Sequence, residues 1–201
     1  MPDFLKIALF LILGYLFGSL NFAIIYSKLR RDDIRNHGSG NAGTTNVLRT
    51  YGKGAAALVL ILDISKGVIA VIVSRLFFDN AILDCCAALG AVLGHNFPLY
   101  YHFKGGKGVA TSLAVLLALH WPTALIGLAT FIVIAIITRY VSLSSILAAV
   151  AAVTASFIFF KVNEFSIFCA IIGTLCIARH HQNIARLVKG TENKLGQKKK
   201  G

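Results

Sequence analysis

Charge is what this sequence has least of. Only 14% of its 201 residues are Asp, Glu, Lys or Arg, against about 25% in an ordinary soluble domain. Acidic residues are scarcer still, 8 against 20 lysines and arginines, which leaves a net charge of +12. With 57% hydrophobic residues, this excludes a soluble globular class and points to an integral membrane protein. The length leaves no room for a second sizeable domain. Cysteine is sparse as well. Cys85, Cys86, Cys169 and Cys176 all fall in apolar segments without metal-ligand spacing to histidine. They read as small buried hydrophobes, not as a disulfide framework or a metal site. No internal repeat is present, which argues against an inverted-repeat transporter. Also missing are a Walker A loop, a Gly-x-Ser-x-Gly nucleophile elbow and a histidine followed five positions later by Asp.

What is present is a series of apolar runs. They predict an all-α polytopic membrane protein of about seven transmembrane helices, over residues 4–29, 55–78, 81–94, 109–119, 123–138, 143–160 and 165–178. A re-entrant hairpin over 95–118 is the alternative for the short middle spans. The first run is too long for a signal peptide and reads as a retained span. Seven spans put the polar segments 30–54, 95–108 and 139–142, and the tail from Arg179, on one side. That side then carries Arg30, Arg31, Arg35, Arg49, Lys53, Lys104, Lys107, Arg139 and the basic tail, against little more than Lys6, Arg75 and Lys161 opposite. The asymmetry predicts a cytoplasmic C-terminus and an N-terminus outside. The excess positive charge then belongs to cytoplasmic loops and anionic ligands or lipids, not to nucleic acid. Residues 190–201 read as a flexible basic tail on a single domain, 1–201.

Three polar segments carry chemistry. The first reads Gly38-Ser39-Gly40-Asn41-Ala42-Gly43-Thr44-Thr45-Asn46-Val47-Leu48-Arg49. Its glycines let backbone N–H groups approach an anion, its hydroxyls and amides add neutral donors, and Arg49 offers a planar fork for phosphate. The second runs from Gly94-His95-Asn96 to Lys104-Gly105-Gly106-Lys107-Gly108-Val109-Ala110-Thr111 and leads into an apolar helix, whose N-terminus is a natural phosphate site. The third, Arg179-His180-His181-Gln182-Asn183, places His180 and Asn183 on one helix face. The adjacent histidines do not suit a metal, and none is expected. Asp63 and Lys66 sit three apart inside the second span, either as a functional site or as a structural pair. Ser19 and Asn21 read as packing or interhelical hydrogen-bonding residues, and Ser142, Ser144 and Ser145 as caps of the sixth span. On chemistry alone, a small organic-anion transporter or channel remains the alternative to an enzyme.

In order and spacing these motifs resemble the bacterial acyl-phosphate:glycerol-3-phosphate acyltransferase family, the PlsY type, over nearly the whole chain. Asp63…Lys66-Gly67 and Arg139-Tyr140-Val141-Ser142 fit as well. The resemblance implies transfer of a fatty acyl group from acyl phosphate to sn-glycerol 3-phosphate, giving lysophosphatidate and phosphate, the first step of phospholipid synthesis. It implies no cofactor and a place in the bacterial inner membrane, with contact to the enzyme that forms the acyl phosphate. Lys104, His180 and Asn183 would act at the reacting centre. Ser39, Asn41, Thr45, Asn46, Arg49, His95 and Ser142 would bind substrate, and Gly105, Gly106, Lys107, Gly108, Val109, Ala110 and Thr111 would cradle the donor phosphate. For the base, the candidates are His180, His95, Asp63 or a phosphate of the substrates themselves.

Overall fold

The structure is a computed structural model that describes residues 1–197; Lys198, Lys199 and Lys200 of the basic tail lie outside the described residues. Every element among the described residues is helical, and the chain falls into two compact units, Met1–Trp121 and Pro122–Gly201. The first unit holds α1 (Asp3–Gly18), α2 (Phe22–Leu29), α3 (Thr44–Tyr51), α4 (Lys53–Phe77), α5 (Ala81–Asn96) and α6 (Val109–Leu119). The second holds α7 (Trp121–Thr138), α8 (Val141–Phe160), α9 (Glu164–Arg179) and α10 (His181–Val188). Helix occupies each of the seven apolar runs. Five stretches are long and apolar enough to cross a membrane: Asp3–Leu29, Lys53–Phe77, Ala81–Tyr101, Trp121–Thr138 and Val141–Phe160. α6 and α9, at 11 and 16 residues, are shorter.

Two boundaries differ from the expected spans. The first run is not one helix: it breaks at Ser19–Asn21, where the Asn21 side chain turns back to cap α2 by accepting from the Ile24 N–H (3.1 Å). α5 continues through His95 and Asn96, which therefore sit on a helix and not in a loop. Both are buried.

In the first unit, α1 lies directly on α5. Gly14 and Gly18 on α1 and Gly90 and Gly94 on α5 are the reason. A methyl at Gly14 or Gly18 would run into the carbonyls of Ala87 and Ala91, and one at Gly90 or Gly94 into those of Leu11 and Tyr15. Lipid is as apolar as leucine, so such helices associate by close backbone packing between small residues. α4 adds a third helix, with Gly67 seated against Ala114 and Thr111 of α6. Ile24, Ile34, Val47 and Val59, all fully buried, make an apolar floor that joins α2, α3 and α4 under the first polar loop.

In the second unit, Gly173 on α9 faces Val153 on α8, and Gly127 on α7 faces Ala148 and Ala152. Asn163 and Ser166 form a reciprocal capping box that starts α9. Ser142, Ser144 and Ser145 are buried in the first turn of α8; Ser144 and Ser145 donate back to the carbonyls of Tyr140 and Val141 (both 2.8 Å). Of the expected tail, residues 190–197 are described. Glu192 is buried, and the Leu195 N–H donates to the Arg139 carbonyl (2.7 Å).

Candidate active site

The first polar loop is built around Asn46, on the opening turns of α3. Its Nδ2 donates to the carbonyls of Ile34 (3.1 Å) and His37 (2.9 Å), and its Oδ1 accepts from the Ser39 N–H (2.9 Å). Both protons and one acceptor site are thus used to fold the loop, so Asn46 shapes the site from behind. Gly38, with φ +59°, presses against the same amide. Ser39, Asn41 and Thr45 are half-buried on this loop, and Arg49 is exposed one turn further along α3. The rim is pinned by Asp32, which accepts from Tyr51 Oη (2.6 Å) and pairs with His37 Nε2 (2.8 Å). Those hydrogen bonds hold the Asp32 carboxyl down at about 2, and partial burial together with Asp32 pushes the Tyr51 phenol up to about 12.

The second loop folds against the first. Arg35, clamped to Asp33 (2.6 Å), also donates to the Tyr101 carbonyl (3.2 Å). The Gly106 N–H donates to the His95 carbonyl (3.1 Å). A methyl at Gly106 would strike both His95 Nε2 and the Ala42 carbonyl, so only glycine lets the loops approach this closely. Gly108, at φ +76°, turns the chain into α6 and lies on the Asn96 amide. Lys107 is half-buried between these glycines, whereas Lys104 stands exposed before them.

Ala42 and Gly106, which lie against each other, each stand just before a helix N-terminus: α3, entered through Gly43, and α6, entered through Gly108. Among the described residues no side chain caps either one. Uncapped N-termini present backbone N–H groups and the positive end of the helix dipole, the arrangement that receives phosphate. Val109, Ala110 and Thr111 form the first turn of α6, and the Thr111 hydroxyl is buried without a hydrogen-bond partner among the described residues.

The second unit carries its own polar cluster around Glu192. Its Oε1 accepts from Ser142 Oγ (2.8 Å) and Asn183 Nδ2 (2.6 Å), and its Oε2 from Arg186 Nε (2.7 Å). Burial alone would raise the Glu192 carboxyl; the bonds from Arg186, Asn183 and Ser142 outweigh it and hold the carboxyl below its ordinary value. His180 is buried at the α9–α10 corner, where Nδ1 lies 2.8 Å from the Cys176 carbonyl. A carbonyl only accepts, so Nδ1 carries the ring proton, and what holds it is a neutral oxygen and not a carboxylate.

Glu192 is the residue that motif reading missed. The available signal was that it is the one acidic residue after Glu164, in a stretch otherwise basic.

A family model for glycerol-3-phosphate acyltransferase matches residues 8–190. The chain belongs to the glycerol-3-phosphate acyltransferase family. A relative of that name from Thermoanaerobacter sp. (strain X514) is 46% identical over 188 residues, 93% of this chain and 94% of the relative. One from Francisella tularensis subsp. novicida (strain U112) is 45% identical over 191 residues, 94% and 93%. The acyltransferase is also similar to a crystal structure of PlsY (YgiH), an integral membrane glycerol 3-phosphate acyltransferase, in its glycerol 3-phosphate form. That match has a TM-score of 0.89 at 39% identity and covers 94% of this chain and 96% of the other. The lysophosphatidic acid form of PlsY matches with a TM-score of 0.86 at 38% identity, covering 94% and 95%. The acyltransferase is accordingly a multi-pass membrane enzyme.

Proposed function

We propose that this enzyme transfers a fatty acyl group from acyl phosphate to sn-glycerol 3-phosphate, releasing 1-acyl-glycerol 3-phosphate and phosphate as the first step of phospholipid synthesis. The carrying observation is the contact between two glycine loops that each lead into an uncapped helix N-terminus and that carry Arg49, Lys104 and Lys107 in or beside them, since both substrates are phosphate monoanions or dianions. The family and its solved relatives, one in a glycerol 3-phosphate form and one in a lysophosphatidic acid form, support the same acceptor and product.

In this reading the acceptor hydroxyl oxygen attacks the acyl carbon. A C–O ester bond forms, the C–O bond to the phosphate breaks, and phosphate leaves. Arg49 and Ser39, with Asn41, Thr45 and Asn46 shaping the loop, hold the acceptor's phosphate. Lys104 and the Gly105–Thr111 turn, with Lys107 and His95, hold the leaving phosphate. His180 and Asn183 orient the hydroxyl, and Ser142 helps fix Asn183 through Glu192. The proton passes to a substrate phosphate, whose second pKa near 6 suits it at neutral pH. An Nδ1–H held by a carbonyl supports an orienting His180 more than a triad-type base. Acyl phosphate is already activated, so orientation, worth about 7–11 kcal/mol, supplies much of the acceleration.

The proposal includes seven spans in the bacterial inner membrane, N-terminus outside, with the polar loops on the cytoplasmic side, where both the soluble acceptor and the enzyme that makes the acyl phosphate would be met. Purified protein should consume acyl phosphate only when glycerol 3-phosphate is present. Uptake of glycerol 3-phosphate into vesicles without consumption of acyl phosphate would favour the transporter instead.

A further inference from the structure

Asp63 and Lys66 form a fully buried ion pair inside α4 (2.9 Å), and no step of the reaction uses them. An intramembrane lysine is costly unless its position serves something. The Lys66 ammonium has three protons to give, and four acceptors surround it. Besides Asp63 Oδ1, these are the carbonyls of Gly18 (3.1 Å) and Leu20 (2.9 Å) and His95 Nδ1 (3.0 Å). Gly18 and Leu20 are where α1 ends and the first apolar run breaks, so the cation sits at the negative end of the α1 dipole and satisfies carbonyls that the helix leaves over.

From there the contacts close into a ring. Next to Leu20, Asn21 Nδ2 donates to the Ala42 carbonyl (3.2 Å) in the first glycine loop. Ala42 lies against Gly106 in the second glycine loop, and Gly106 lies against the ring of His95, which leads back to Lys66. One ammonium therefore holds, on one side, the helix break that places Ala42 and, on the other, the imidazole that places Gly106.

We infer that Lys66 is a positioning residue that sets the two glycine loops in register, with Asp63 as the counter-charge that lets an ammonium reside there. The inference rests on the reading that those loops hold the substrates' phosphates. A mere counter-charge pair could be exchanged for a neutral pair without consequence; a four-acceptor clamp could not, because methionine offers no proton to Gly18, Leu20 or His95.

The test is Asp63→Asn combined with Lys66→Met, which removes both charges together and leaves no carboxylate stranded. Thermal unfolding in detergent should remain one cooperative transition with a lowered midpoint, because the Gly18 and Leu20 carbonyls lose their donor. Amide exchange over residues 38–43 and 105–108 should speed up by about tenfold or more while α8 and α9 exchange as before. kcat/KM for acyl transfer should fall by about a hundredfold, the scale of a 1 Å misplacement. Parental loop exchange and parental kinetics in this variant would overturn the inference. Asp63→Asn alone serves should the double variant not fold: it keeps three acceptors for Lys66, so loop exchange should stay within about threefold of the parent, and loosening as large as that expected of the double variant would overturn the role given to Lys66. Loosened loops with unchanged KM for both substrates would support the clamp and count instead against the loops as phosphate sites.

Discussion

Arg49 is exposed on α3 and carries the fork that a phosphate needs, and a charge-assisted hydrogen bond of that kind contributes about 1.5–3 kcal/mol. Arg49→Ala should therefore raise the KM for glycerol 3-phosphate by roughly ten- to a hundredfold in steady-state assays. Removal of Lys198 to Lys200 should leave the kinetics nearly unchanged. Equal effects from the two changes would mean that bulk positive charge, and not a shaped site, attracts the acceptor. His180 tests the route of the proton. In the role proposed for it, His180 meets the acceptor through the ring edge opposite Nδ1, which lies on the Cys176 carbonyl. His180→Gln keeps a hydrogen-bonding group there and cannot titrate near neutral pH, so it should retain measurable turnover. A folded His180→Gln enzyme that binds both substrates normally and transfers no acyl group would make the histidine the general base.

At the scale of elements, the contact between α1 and α5 decides whether the loops have a platform. Gly94→Leu drives a side chain into the Tyr15 carbonyl and should lower stability by more than the roughly 1–3 kcal/mol usual for overpacking, because backbone has to move. Gly54→Ala, on α4 with open space around it, should be neutral or stabilising by up to about 1 kcal/mol. Thermal unfolding of both variants in detergent measures the contrast. The existence and order of the helices were legible in the sequence because apolar runs report spans directly. The break at Ser19–Asn21 was not legible, since a capping Asn inside an apolar run looks like any polar residue until the helix that it starts is seen. Nor was the inclusion of His95 and Asn96 in α5, because polarity alone suggested a loop. The glycine loops suggested an anion site through composition, the reading proposed for them above. That Asn46 folds the first loop, and that Glu192 gathers Ser142, Asn183 and Arg186, depended on contacts up to 50 residues apart in the chain, which no local spacing encodes.

For the whole molecule, the proposed orientation rests on the distribution of basic residues. In a background without Cys85, Cys86, Cys169 and Cys176, single cysteines at Asn36 and Gln197 should resist an impermeant thiol reagent applied to intact cells, and one at Val162 should react. Val162 is exposed and spares Asn163, which caps α9. Labelling of Asn36 but not Gln197 would break the seven-span plan. Acyl transfer from acyl phosphate to glycerol 3-phosphate leaves its signature in the position of an oxygen isotope. Acyl phosphate carrying ¹⁸O in the oxygen that bridges carbon and phosphorus is incubated with purified enzyme and glycerol 3-phosphate, and the products are weighed by mass spectrometry. Attack at the acyl carbon predicts one lysophosphatidate per phosphate released, with the label in the phosphate and none in the ester. Label retained on the acyl group, or phosphate released without lysophosphatidate, would contradict it.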